Sequence, residues 1–117
     1  MSEKESFVRI LPIEDAALLA RLNETYGTRA RFGFLYVEKR EIKSTALYQM
    51  QKPHLQVLNI SSHDPEIFKA LANAILEAGV REGMTDVRFA PAVEDELLAL
   101  LTLGEEVRER TYFLPKS

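Results

Sequence analysis

Leu55-Gln-Val-Leu-Asn-Ile-Ser-Ser-His-Asp-Pro-Glu-Ile-Phe-Lys-Ala-Leu-Ala-Asn-Ala-Ile-Leu76 is the stretch on which the fold turns. Leu55 to Ile60 is short, apolar and bounded by turn formers, so it reads as a strand. Asp64 is a good helix N-cap and Pro65 suits the first helical position. Ile67, Phe68, Leu71, Ala72, Ile75 and Leu76 then form one apolar stripe that runs to Gly79. A strand running straight into a helix makes an anion site when glycines let the backbone approach and the helix start carries no negative charge. This junction holds Asp64, Pro65, Glu66 and Phe68, so the site is expected to be closed.

Upstream, Phe7-Val-Arg-Ile-Leu11 is β-prone and Pro12 is expected to stop it. A helix is expected from about Glu14 to Tyr26. Leu18, Leu19, Leu22 and Tyr26 recur at helical spacing, Glu14 and Asp15 suit the first turn, and Gly27 ends it. Phe32 to Glu38 and Ile42 to Met50 form a meander, with Ala46, Tyr48 and Met50 on one face and Thr45 and Leu47 on the other. Gln51-Lys-Pro53 breaks it before Leu55. Downstream, Asp86 to Ala90 is a strand ended by Pro91, a Leu-rich helix spans Val93 to Leu103 and stops at Gly104, and Glu106 to Leu114 is a last strand. The order β-α-β-β-β-α-β-α-β implies an α+β fold, with a mixed, mainly antiparallel sheet that turns parallel where a helix crosses over.

With 117 residues, no linker and no internal repeat, the chain reads as a single domain over residues 1–117, residues 1–6 being expected to be flexible. There is no Cys, which removes disulfide frameworks and thiolate metal sites. A net charge of −3 with both signs interleaved offers no footprint for a nucleic-acid backbone. Met1-Ser-Glu-Lys-Glu-Ser6 is polar where a secretory leader is basic and then apolar, and no apolar run approaches the ~18 residues of a membrane span. The expectation is a cytoplasmic protein that engages neither nucleic acid nor membrane.

At this point a resemblance enters. Val8-Arg-Ile-Leu-Pro-Ile-Glu-Asp-Ala-Ala-Leu-Leu-Ala-Arg-Leu22 resembles the opening of the GNAT family of N-acetyltransferases. Phe34 to Glu38, Ala46 to Tyr48, Leu55 to Ser62, Lys69 to Leu71 and Leu103 to Glu106 are similar to its central and C-terminal segments. The likeness covers most of the chain as pattern and includes no catalytic signature. It implies the GNAT fold with acetyl-CoA as coenzyme. The pantetheine arm would pair with the backbone of Leu58, Asn59, Ile60, Ser61 and Ser62 where the fourth strand splays from the fifth, and His63 would approach a phosphate.

Departures from the family pattern point the other way. The family's coenzyme loop, Gln/Arg-x-x-Gly-x-Gly/Ala, would place His63 at the basic position and Glu66 and Phe68 at the small ones. Phe68 adds bulk where backbone must approach, and Asp64 with Glu66 sets carboxylates where a diphosphate would rest. The position of the family's Tyr acid is Leu100, which has no proton to give a departing thiolate; an Asn common further upstream falls at Val93, and the Phe of its Leu-Gly-Phe motif is Glu105. Between Gly27 and Arg31 there is no room for the family's usual second helix.

Other polar residues have bland readings. His54 and His63 sit in turn-like regions with no ligand spacing for a metal. Ser61 and Ser62 adjoin His63, but there is no Gly-x-Ser-x-Gly elbow. Tyr36 and Tyr48 share a sheet face as packing partners or as the lining of a shallow cleft. Glu105, Glu106, Arg108, Glu109 and Arg110 read as the solvated side of an edge strand, and Arg29 with Arg31 as an ordinary basic pair.

Two functions follow. The favoured one is a GNAT-like domain that has lost acetyl-CoA binding and catalysis and serves as a binding or interaction module, toward an unidentified protein or a second copy, with no catalytic residue, metal or cofactor. The alternative is an acyl-CoA-dependent N-acyltransferase with an atypical coenzyme loop, in which Leu58, Asn59, Ile60, Ser61, Ser62 and His63 hold acetyl-CoA. A two-fold homodimer is the default form for a small domain with an exposed sheet face.

Overall fold

The computed structural model describes residues 7–115, and the start expected to be flexible, residues 1–6, lies outside them. The elements run β1 (Val8–Pro12), α1 (Ala16–Tyr26), β2 (Phe32–Glu38), β3 (Glu41–Gln51), β4 (His54–Ile60), α2 (Pro65–Arg81), β5 (Asp86–Phe89), α3 (Asp95–Leu98), β6 (Glu106–Arg108) and β7 (Thr111–Phe113). The strands make one sheet in the order β1-β2-β3-β4-β5-β7-β6. Every pairing is antiparallel except β4 with β5, where α2 makes the crossover. The mixed α+β sheet implied by the sequence is therefore the observed one.

α2 organises the core. Its Phe68, Leu71, Ala72, Ile75 and Leu76 pack with Ala46 and Tyr48 of β3, Leu55, Val57 and Ile60 of β4, and Val87 and Phe89 of β5. Leu98 and Leu101 join the same cluster, so α3 shares this face of the sheet with α2. The opposite face has lighter cover. Leu47 is fully buried there beside Gly33 and Ile13, at the approach to α1. The exit of α1 is tied by Asn23, whose amide donates to the Ala30 carbonyl (2.9 Å) and whose oxygen accepts from the Ala30 N–H (2.8 Å) and the Thr28 hydroxyl (2.7 Å). α1 itself buries no residue completely.

Local chemistry sets most boundaries. Asp15 is the N-cap of α1, its carboxylate accepting from Ala17 and Leu18 N–H (2.9 and 3.3 Å), so Glu14 and Asp15 precede the first turn instead of forming it. Gly27 closes α1 in the left-handed region, φ 66°. Pro12 is the last residue of β1, which ends there as expected. The flanking bonds, Ile13 N–H to the Gly33 carbonyl and Lys39 N–H to the Phe7 carbonyl, turn odd-numbered residues toward β2, so the N–H that Pro12 lacks would have faced outward. Gly79 does not end α2, which runs on to Arg81; a Cβ there would come within 2.6 Å of a Leu55 methyl, so the glycine admits β4 to the helix.

The C-terminal third differs most from expectation. A helix over Val93–Leu103 would have spread its leucines round much of its circumference while only one side meets α2. The chain instead makes one α-turn, then i→i+3 bonds from Leu100 and Leu101 N–H to Leu97 and Leu98 carbonyls, which bring Leu98 and Leu101 together in the core. The expected last strand is a hairpin, β6 and β7, reversed at Arg110 with φ 59°. Gly104 is held against β7 by its N–H to the Phe113 carbonyl (3.0 Å), and a Cβ on it would meet that oxygen at 2.5 Å. Gly104→Ala is therefore expected to lower stability by about 1–3 kcal/mol in urea denaturation, since backbone is less able to yield than a side chain. An unchanged midpoint would show that β7 moves freely.

Candidate functional site

The site is built where β4 and β5 part. Their ladder runs from His54 opposite Asp86 to Val57 opposite Phe89 and closes with the Ala90 N–H on the Val57 carbonyl (2.9 Å). Beyond it, β4 pairs only with β3. Tyr48 faces Val57 and Leu47 faces Asn59, which leaves Leu58 as the extra residue of a β-bulge. A cleft of about 200 Å³ opens here, lined by Gln56, Val57, Leu58, Arg88, Ala90 and Pro91.

The start of α2, reached from β4 through residues 61–64, uses its own donors. The Asp64 carboxylate accepts from Glu66 N–H (2.9 Å) and Ile67 N–H (3.3 Å), and the Asp64 carbonyl accepts from Phe68 N–H (2.8 Å). Pro65 has no N–H, and the Asp64 N–H is donated to the Ser62 hydroxyl oxygen (3.0 Å). A helix start attracts anions through unengaged N–H groups, and here a carboxylate of the chain already satisfies them. Phe68 is 1 % exposed and points into the core, so its bulk is core packing and not a plug in the cleft.

The candidate residues divide by role. Ser61 is fastened to β3, with its N–H on the Thr45 carbonyl (2.9 Å), its hydroxyl accepting from Thr45 N–H (2.9 Å), and the Ser44 hydroxyl at 2.7 Å. The Ile60 side chain belongs to the core. Asn59 shares the opposite sheet face with Leu47, and its buried Oδ1 finds no partner among the described residues, like the Thr45 Oγ1 and Gln49 Oε1 on that face. The exposed His63 ring lies 3.5 Å from the Glu94 carboxylate, bridging the α2 and α3 approaches, and makes no bond to either serine. His54 pairs instead with Asp86 (2.8 Å), at the far end of the parallel ladder. Among the described residues no group of three or more His, Cys, Asp or Glu is placed to hold a metal ion.

Tyr36 and Tyr48 share the α2 face but lie at different strand positions, opposite Ser44 and Phe32 respectively. Burial raises the Tyr36 hydroxyl pKa above its ordinary value, and Glu38, Glu66 and Asp64 raise it further. Burial raises Tyr48 as well, opposed by Arg81 and reinforced by Glu82. Tyr48 stacks between Phe32 and Phe34, with ring centroids 5.4 and 5.6 Å away, so it is a packing residue. Leu100 is exposed on the turn after α3, while Val93 is buried.

Arg110 is the residue that sequence reasoning misplaced. It is not part of a solvated edge: its guanidinium donates to the carbonyls of Phe89 (3.1 Å), Ala90 (2.8 Å) and Val93 and pairs with Asp95. One wall of the cleft thus has its carbonyls occupied, while the β4 wall beyond Val57 is paired to β3 and has no ladder on its β5 side. No local sequence signal marks this role, because the partner carbonyls lie 17 to 21 positions earlier.

No family model matches the chain, and no curated protein matches it in sequence. Its structure is similar to the solution structure of YhhK from Escherichia coli, provisionally named an N-acetyl transferase and bound to coenzyme A, with TM-score 0.55 and 12 % identity over 92 % of this chain and 98 % of that one. At that identity the likeness speaks for the fold alone, and the fold is GNAT-like.

Proposed function

We propose that this GNAT-like domain does not turn over acetyl-CoA and serves as a binding module. The observation that carries the reading is the Asp64 carboxylate on the Glu66 and Ile67 N–H groups, with no N–H at Pro65 and Glu66 adjoining. A diphosphate at this position would have to displace a covalently tethered anion and then sit beside the Glu66 carboxylate. Leu100 at the acid position and the direct passage from α1 to β2 through Gly27–Arg31 point the same way. No helix among the described residues is long and apolar enough to cross a membrane, and the reading keeps the cytoplasmic setting expected from the sequence.

A second reading, an acyltransferase with an atypical coenzyme loop, is favoured by the cleft itself. The β5-facing side of β4 beyond Val57, where the parallel ladder ends, is backbone that an amide-bearing chain such as pantetheine could pair with. Calorimetric titration of acetyl-CoA and free CoA to millimolar ligand separates the two. The module reading expects no saturable heat. Binding at or below ~100 μM, about −5.5 kcal/mol, would reverse the assignment.

A further inference from the structure

The two edges of the sheet are built differently. β6 is three residues long, fully exposed and charged, with Glu105, Glu106, Arg108 and Glu109 on or beside it, as expected of an edge guarded against pairing. β1 is five residues long and apolar but for Arg9. Phe7 and Leu11 are 69 % and 40 % exposed on one face and Val8 is 44 % exposed on the other, and Ile42 on β3 is 53 % exposed. We propose that this edge takes a second copy of the chain: two β1 strands pair antiparallel about a two-fold axis at Ile10 and join two sheets into one.

Backbone polarity selects the register. Phe7, Arg9, Leu11 and Ile13 turn their N–H and carbonyl groups to β2, so Val8, Ile10 and Pro12 present theirs outward. An axis at Ile10 lets the two Ile10 residues exchange N–H to carbonyl bonds and lets each Val8 N–H reach the Pro12 carbonyl of the other copy. An axis at Arg9 would set two guanidinium groups directly opposite, which is repulsive. An axis at Leu11 would pair Ile10 with Pro12, and the N–H missing from Pro12 would forfeit half of those bonds.

Side chains agree with that register. Arg9 extends over the Phe7 ring, 5.8 Å from guanidinium carbon to centroid. With the axis at Ile10, Phe7 falls opposite Ile13 of the second copy, which brings Arg9 toward the exposed Glu14 that follows it, and symmetry makes the charge match twice. On the α2 face Val8 meets Pro12, extending the apolar floor of Ile10 and Phe34 in the 390 Å³ groove beside α2. The proposal rests on the binding-module reading and names its surface. The coenzyme titration probes a different end of the molecule, so either can fail alone.

The test is sedimentation equilibrium of the full chain over ~1–500 μM, with amide exchange read by residue. The expected result is a doubled mass at high concentration, with Val8 and Ile10 amides gaining protection as dimer forms while Arg9, Leu11 and Ile13 are protected throughout. Glu14→Arg should weaken dimerisation about tenfold, and adding Arg9→Glu should restore it. Val8→Lys, at an exposed position, should weaken it without unfolding the monomer. A single-chain mass at the highest concentration overturns the proposal. So does a dimer whose Val8 and Ile10 amides still exchange as an open edge, or one indifferent to the Arg9 and Glu14 reversals.

Discussion

Phe68→Ala is expected to lower stability by about 3–5 kcal/mol, with the urea midpoint falling and the slope unchanged. Phe68 is 1 % exposed in the first turn of α2 and packs in the cluster shared with β3, β4 and β5, so its loss leaves a cavity that a rigid sheet cannot fill. Against a typical total of roughly 5–15 kcal/mol, the variant would be marginal. Function follows from this. Glu66→Gly with Phe68→Gly, the substitution that would recreate a glycine-rich anion loop, would remove the same ring and add about 1 kcal/mol of helix cost at each glycine. The closed helix start is thus coupled to the core. A loss below about 1 kcal/mol for Phe68→Ala would mean that the first turn of α2 is not anchored.

Arg110→Ala is expected to cost about 2–4 kcal/mol, because the Phe89 and Val93 carbonyls lose their donor together and the Ala90 carbonyl keeps only the Val93 N–H. The Arg110 side chain is 19 % exposed whereas Asp95 is 82 % exposed, so the carbonyl bonds and not the ion pair carry the effect. The loss should therefore persist in high salt, with a melting temperature lower by on the order of 10 °C. Arg110→Lys should recover little, since a single ammonium cannot span the carbonyls that a planar fork reaches. Arg110→Gly should be less harmful than Arg110→Ala by about 1 kcal/mol, because φ is 59° there and glycine carries no Cβ penalty. A melting temperature unchanged in Arg110→Ala would return Arg110 to the solvated edge.

Most of the helices and strands were legible because their signals are local. Asp64, Pro65 and the stripe from Ile67 to Leu76 specify α2 within one stretch, and alternation along β3 fixes which face holds Ala46 and Tyr48. The Asp64 cap was legible for the same reason, since its carboxylate takes the N–H groups two and three residues on.

Where the sequence was misread, the deciding partner is distant in the chain. Gly104 looked like a helix terminator and is a contact point for Phe113, and Gly79 inside α2 is one for Leu55. Arg110 looked like surface charge and holds carbonyls brought to it by the pairing of β5 with β7. Sequence alone determined the elements and their order as far as β5, and the Asp64 cap of α2, all properties of neighbouring residues. The tertiary structure alone decided the parting of β4 and β5, the arginine behind it and the unguarded edge at β1. These depend on which strands lie side by side, and no local pattern encodes that.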